Sequence, residues 1–492
     1  MPQVNYRSLT PMKFPVRLSL LPSAFLLICY LANATPSSVP DATRAARWQR
    51  MQQAAQADWS ATMASLGLST PTLPPPQSDP KRPPHTTRVP GSPYNWTDGV
   101  PGHTIVRSSW GNWNNYDEAR ADRYPLPALL RTNDGRRVDT PDLWWKVRRP
   151  ELLEEFASQI YGRIPSRTPA VTWRADAPAK ASDGSVTTHW TGLIDNRAYP
   201  RATPQIDLSL TLPPGRRGPV PVIVVIDGGF HFPGYHPPPG PTPRDLVLAR
   251  GWAYAVFTTE PLQQDSGAGL RAGIIGLVNC GAARKPDDWG VLAAWSWGLS
   301  RSADLLQRIP AIDGHALGLE GHSRWGKAAL LAAALDSRWT AVYSSCSGEC
   351  GAKLHRHDVG ESVDNVCGPS EYHWMAGNFL KYAGHWDRLP VDQHELIALV
   401  APRALLVTGG TEDLWSDPVG EFQACVAASP VYRLLGFKGL DTDTMPAPDA
   451  GLMSGDLAFR LHRGGHTDLP DWPAFLKFAA RHFSTGTPAS GH

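Results

Sequence analysis

Gly321-His322-Ser323-Arg324-Trp325-Gly326 is the stretch on which the reading of this chain turns. Ahead of it runs Ala316-Leu317-Gly318-Leu319-Glu320, short and apolar, the pattern of a buried strand. Behind it runs Lys327-Ala328-Ala329-Leu330-Leu331-Ala332-Ala333-Ala334-Leu335, rich in Ala and Leu and free of Pro and Gly, the pattern of a helix. Strand, Gly-x-Ser turn and helix together make a nucleophile elbow: small residues let the chain reverse sharply and leave Ser323 Oγ clear of the backbone. The helix N-terminus that follows supplies positive potential and N–H groups where an oxyanion develops. In one respect the stretch departs from Gly-x-Ser-x-Gly. Its second glycine, Gly326, stands three residues after the serine, and Arg324 comes directly behind the nucleophile. A serine that merely caps a helix is the competing reading.

The surrounding chain supports the elbow. Strand patterns recur at 169–174, 186–194, 205–212, 220–226, 252–257, 341–345, 404–408 and 457–462. Residues 205–212 alternate apolar and polar, as in a half-exposed strand, whereas Val220-Pro221-Val222-Ile223-Val224-Val225-Ile226 is apolar throughout, as in a strand covered on both faces. Helical patterns fall at 150–161, 287–307 and 471–483. Strands alternating with helices over this length predict a doubly wound, mostly parallel sheet in a three-layer α/β sandwich. The first apolar strand ends in Asp227-Gly228-Gly229-Phe230, where either a second oxyanion N–H or a plain tight turn is expected.

A nucleophilic serine needs a histidine to take its proton and an acid to orient that histidine, in the chain order Ser, acid, His for this build. His466, in Arg463-Gly464-Gly465-His466 between the last strand and the last helix, has the position of the base. His462 falls within the strand pattern. Two residues compete for the acid: Asp413, after the strand at 404–408, and Glu349, after the strand that follows the elbow. Glu412 and Asp417 read as surface or capping residues. Lys327, one helical turn after Ser323, can reach the pocket mouth, and Arg324 can bring charge to the oxyanion; surface solvation is the bland alternative for both.

The chain has 492 residues, 42% hydrophobic and 19% charged, enough for one large core plus extensions. Residues 1–34 read as an export signal: Lys13 and Arg17 precede an apolar run that ends in Ala32-Asn33-Ala34. Its removal takes Arg7, Lys13 and Arg17 and no acid, leaving 44 basic residues against 45 acidic ones. That balance excludes a nucleic-acid binder or a protein drawn to anionic membranes. Residues 35–93 read as a short helix around Trp48, Ala55, Trp59 and Met63 followed by a Pro-rich linker, and the folded domain is expected to span 94–486. The five remaining cysteines (Cys280, Cys346, Cys350, Cys367 and Cys425) allow up to two disulfides of unassigned pairing, and their spacing is not that of a zinc site. The 19 tryptophans exceed ordinary usage about threefold; most belong in a core, but Trp faces also stack on sugar rings.

With these residues together, the chain resembles the glucuronoyl esterases, a carbohydrate esterase family whose elbow reads Gly-x-Ser-Arg-x-Gly, and its bacterial members above all. The resemblance covers about residues 110–484. It rests on 321–327 and on Trp297-Gly298-Leu299-Ser300-Arg301. It rests further on Leu389-Pro390-Val391-Asp392-Gln393-His394, Ala401-Pro402-Arg403, Glu412-Asp413-Leu414-Trp415-Ser416-Asp417-Pro418 and Gly464-Gly465-His466. It implies an α/β-hydrolase fold and cleavage of the ester between glucuronic acid groups of xylan and lignin alcohols; with the export signal, a secreted or periplasmic monomer without cofactor or metal is expected. By position, Ser323 would be nucleophile, His466 base and Arg324 the oxyanion's partner, with Lys327, Glu361 and Trp415 on the glucuronoyl ring. The fungal pair of cysteines beside Ser and His is replaced here by His322 and Thr467. An acetyl-xylan or other carbohydrate esterase, and a non-catalytic carbohydrate-binding relative, are the other readings.

Overall fold

The apolar run at 220–226 becomes β4 (Val220–Asp227), and the elbow strand, longer than its core pattern, becomes β6 (Ile312–His322). They pair in parallel at the centre of the sheet. The computed structural model describes residues 41–69, 87–88, 95–97, 105–106, 114–116, 118, 121, 124–229 and 240–484. The export signal at 1–34, most of the Pro-rich linker, and the ends of the domain expected at 94 and 486 lie outside the described residues. All nine expected strands are present. Besides β4 and β6 they are β1 (Val171–Ala175), β2 (Val186–Ile194), β3 (Gln205–Leu212), β5 (Ala253–Thr258), β7 (Trp339–Ser345), β8 (Ala404–Gly410) and β9 (Leu457–His462).

Their order across the sheet is β9-β8-β7-β6-β4-β5-β3-β2-β1, with a two-residue strand at 451–452 beyond β9. From β9 to β5 every pairing is parallel, and from β5 outward through β3 and β2 to β1 every pairing is antiparallel. The sheet is therefore mixed, an α/β-hydrolase arrangement with a parallel centre. The antiparallel wing suits its sequence: β3 buries Ile206, Leu208 and Leu210 on one face and leaves the intervening positions half-exposed.

Side chains alternate across the central strands and feed two cores. On one face Val222, Val224, Leu405, Val407, Leu457 and Phe459 pack under α3 (Val291–Leu306), α4 (Arg324–Leu335) and α6 (Pro418–Leu434), with α5 (Gln393–Val400) in the same core. On the other, Ile223, Ala341, Tyr343, Leu406 and Ala458 pack against α2 (Pro243–Ala249) and α7 (Trp472–Ser484). These are the three expected layers. The helix expected at 150–161 is part of a longer helical run, 141–160, interrupted by π turns at Trp144–Arg148 and Phe156–Ile160. Its Leu152, Phe156 and Ile160 face the core as the spacing predicts.

Helix α1 (Asp41–Ser65) lies against this body: Ala55, Trp59 and Met63 are buried, and Trp59 Nε1 donates to Cys367 O at 2.9 Å. The short helix before the linker thus adds to the core. Most tryptophans do likewise, with Trp144, Trp289, Trp295, Trp339 and Trp472 fully buried. Cys280, Cys346, Cys350, Cys367 and Cys425 are all free thiols. Among the described residues no helix is long and apolar enough to cross a membrane.

Candidate active site

β6 ends in a turn that puts Ser323 at φ 60°, ψ −128°, a conformation costing roughly 1–3 kcal/mol that the surrounding packing must hold. The hold is visible: Ser323 N donates to Ser345 O at 2.8 Å, and Lys327 N closes the first turn of α4 on Ser323 O at 3.1 Å. Both glycines are sterically required. A Cβ on Gly321 would stand 2.1 Å from Trp325 O, and one on Gly326 would stand 2.9 Å from Gly321 O and 3.0 Å from Ser345 O. The displaced second glycine thus lets α4 pass close over the strand ends.

His466 follows β9 and leans over the elbow, its ring centroid 4.4 Å from that of His322. Burial, and next the neighbouring His466, push His322 well below the ordinary histidine range, so it stays neutral. His466 Nδ1 lies 2.7 Å from Asp413 Oδ2 and 3.3 Å from Ser416 Oγ. Burial acts to raise the Asp413 pKa, but His466 and the Ser416 hydrogen bond outweigh it and hold the carboxylate down at about 2.

The two acid candidates separate here. Glu349 turns its carboxylate away from His466 into the interior, 2.9 Å from Lys353 Nζ and hydrogen-bonded to His355 Nδ1, with all three side chains fully buried. Burial opposes its ionisation, yet Lys353 and His355 bring it to about 2. What Glu349 offers the site is backbone: its N–H donates to Glu361 Oε2 at 3.1 Å and its C=O accepts from Lys327 Nζ at 2.5 Å.

The loops carrying Asp413 and His466 are braced to one another. Thr411 N donates to His462 O at 2.9 Å, Glu412 N to Gly464 O at 2.8 Å, and Gly464 N to Thr411 Oγ1 at 3.1 Å. His462, the passed-over histidine, is buried between Asp471 Oδ2 at 2.8 Å and Gly465 O at 3.0 Å. Its role is to fasten the loop from below.

Arg324 is tethered by a residue that the sequence reading missed. Its Nη1 lies 2.6 Å from Asp265 Oδ2, and Asp265 also accepts from Trp374 Nε1 at 2.6 Å and contacts His373 Nε2 at 2.9 Å. The guanidinium and the Lys327 ammonium both lie over the Trp374 ring, at 5.1 and 5.6 Å from its centroid. Asp265 follows β5, and loops at the carboxyl ends of parallel strands are where ligands collect in such sheets, so position along the chain could have flagged it.

Lys327 and Glu361 form a buried pair at 2.7 Å. Lys327 also donates to Ser347 O at 2.8 Å and to Glu349 O, so its three ammonium hydrogens are engaged. Glu361 N donates to Trp415 O at 2.7 Å, which ties the pair to the half-buried Trp415. At 227–229 the tight-turn reading fits: Gly229, at φ 74°, gives its N–H to Asp227 Oδ1 at 2.9 Å, and Phe230 lies outside the described residues.

A protein-family model described as glucuronyl esterase of fungi matches residues 200–436. A carbohydrate esterase from an unknown prokaryotic organism is 32% identical over 411 residues, covering 76% of this chain and 93% of that protein. A 4-O-methyl-glucuronoyl methylesterase from Wolfiporia cocos is 29% identical over 352 residues, covering 68% of this chain and 78% of its own. Among solved structures, a glucuronoyl esterase from Teredinibacter turnerae is 35% identical with a TM-score of 0.75, covering 87% of this chain and 99% of that one. One from Solibacter usitatus is 34% identical with a TM-score of 0.67, covering 74% and 99%.

Proposed function

This chain belongs to the glucuronoyl esterases and is a serine-type carboxylic ester hydrolase; from that premise we propose that it is exported and cleaves the ester joining (4-O-methyl-)glucuronic acid of glucuronoxylan to lignin alcohols. Ser323 Oγ attacks the ester carbonyl as His466 takes its proton, with Asp413 holding the imidazole at Nδ1. The oxyanion develops at the N-terminus of α4 beside Arg324, whose charge Asp265 fixes in place before the reaction begins. Collapse expels the alcohol with the proton from His466 and leaves a glucuronoyl-serine, which water then cleaves by the same steps in reverse. The catalytic domain spans 94–486, with α1 docked on it.

The observation that carries the substrate is the buried Lys327–Glu361 pair one helical turn from Ser323. An ester has no charge at its carboxyl, so the site needs readers of hydroxyl groups in place of a carboxylate clamp. Glu361 supplies the acceptor for ring hydroxyls, Lys327 pairs with it and aims it, and Trp415 offers a face to the ring. The test compares hydrolysis of a benzyl glucuronate ester with that of a simple acetyl ester. The glucuronate is expected to win by kcat/KM, and a preference for the acetyl ester would move the protein to the acetyl-xylan class. On the same pair, Lys327→Ala, Glu361→Ala and Trp415→Ala are expected to cut glucuronate kcat/KM by about 10- to 100-fold, since each lost buried contact costs roughly 1–3 kcal/mol. They should leave the acetyl ester within a few-fold, and equal losses on both esters would deny these residues a part in ring recognition.

A further inference from the structure

We propose that Cys346, Asp413 and His466 together form a binding site for a soft divalent cation, zinc or cadmium, and that its occupancy switches hydrolysis off. The three side chains come from the ends of three adjacent strands, β7, β8 and β9, and one donor atom of each lies within 4.8 Å of the others. Donors around a tetrahedral zinc stand roughly 3.3–3.7 Å apart, so small side-chain rotations close the set. Thiolate, imidazole and carboxylate are a donor set that zinc takes readily.

Cys346 is fixed for the part. Its backbone is left-handed, at φ 45°, its N–H donates to Thr408 O at 2.8 Å, and its sulfur rests 3.8 Å from Thr467 O. In the resting protein burial, and then the Asp413 and Glu421 carboxylates, keep this thiol protonated. A divalent ion reverses the sign of that environment: thiolate and carboxylate together balance its charge, and the imidazole binds as a neutral third ligand. Ser416 Oγ, 3.3 Å from His466 Nδ1, or water fills the fourth position. The half-open His466 side chain, 38% exposed, is the way in.

Binding releases the Cys346 proton to solvent, and the imidazole proton passes from Nδ1 to Nε2 as the metal takes Nδ1. An imidazole protonated at Nε2 cannot accept the Ser323 proton, so the base is disabled without any blockage of the substrate pocket. This second half rests on the catalytic reading of Ser323 and His466; the binding itself does not. A similar cluster, Glu349, Cys350 and His355, is sealed in the interior with the Lys353 ammonium 2.9 Å from Glu349, which repels a cation.

Cadmium is the probe, because its thiolate complexes absorb in the near ultraviolet. With Cys280→Ser as the parent, which removes the exposed thiol, the expected result is one cadmium ion per chain with a thiolate charge-transfer band, and inhibition that follows occupancy. Zinc, followed by calorimetry, should inhibit at the same stoichiometry. Adding Cys346→Ser, or Cys346→Ala if the serine variant does not fold, should remove the band and weaken zinc binding on the order of 100-fold. A band that survives in these variants, or zinc inhibition of each variant's own rate equal to that of the parent, overturns the proposal. Metal binding is read without turnover. A full band with undiminished hydrolysis therefore overturns the inhibitory half and points to failure of the catalytic assignment of His466, while the cation site stands.

Discussion

Ser323→Ala lowers kcat on a glucuronate ester by about 10⁶-fold, the scale on which loss of an activated serine is felt. The loss is confined to chemistry for a structural reason. Ser323 sits at φ 60° because its backbone is pinned to Ser345 O and to the first turn of α4, and not because of its hydroxyl. Alanine meets the same steric penalty in that conformation as serine does. The variant should melt within a degree or two of the parent and retain glucuronate binding. Steady-state rates alongside thermal melts and ligand titration check this. Turnover close to that of the parent would remove the serine mechanism for this chain.

Asp413→Asn is the second large effect, about 10⁴-fold in kcat by analogy with a triad acid turned to amide. The carboxylate faces His466 Nδ1 at 2.7 Å, and an amide there either presents N–H to N–H or selects the wrong tautomer. Glu349→Gln should separate from it by readout. Its carboxylate neutralises Lys353 and binds His355 inside the protein, so the amide leaves a buried ammonium uncompensated. Breaking such a pair typically costs 3–5 kcal/mol, which appears as a melting point lower by several degrees before it appears in kcat. If Glu349→Gln instead costs more rate than Asp413→Asn at unchanged stability, the acid assignment is reversed. The pH dependence carries the same signs. Both carboxyls are held at about 2 in the fold, below their ordinary values of 3.8 and 4.5. Their contribution to stability is therefore complete above the ordinary carboxylate range and is lost as pH falls towards 2.

The strands were legible because their signals are local: β4 and β7 to β9 are short apolar runs bounded by turns, and burial on both faces follows from that alone. The elbow and His466 were legible because chain order and sheet topology place them together. The choice between Asp413 and Glu349 was not, since both follow neighbouring parallel strands and chain order does not say which way a side chain turns. That depended on Lys353 and His355, four and six residues further on, drawing Glu349 inward. The irregular stretch from 346 to 392 gave no periodic signal either. It is a series of turns and short helices fixed by buried ion pairs such as Arg356–Asp392, at 3.2 Å, and by hydrogen bonds such as Tyr161 OH to Cys350 O, at 2.9 Å. The antiparallel wing escaped notice because alternation reports a half-exposed strand and not its direction.

The cross-bracing of the 411–413 and 463–466 loops has a consequence for how the enzyme fails when warmed. Asp413 and His466, the proposed acid and base, are tied to each other by three backbone amides, those of Thr411, Glu412 and Gly464, whereas Ser323, the proposed nucleophile, belongs to the central strand and α4. A rise in temperature that loosens those amides carries off Asp413 and His466 as one piece while the sheet remains intact. Loss of activity on heating should therefore precede global unfolding and reverse on cooling. Cavity filling in the core beneath the sheet would raise the melting temperature and leave the ceiling for catalysis where it was. That ceiling is set at the rim, by a brace of three hydrogen bonds with His462 clasped beneath it.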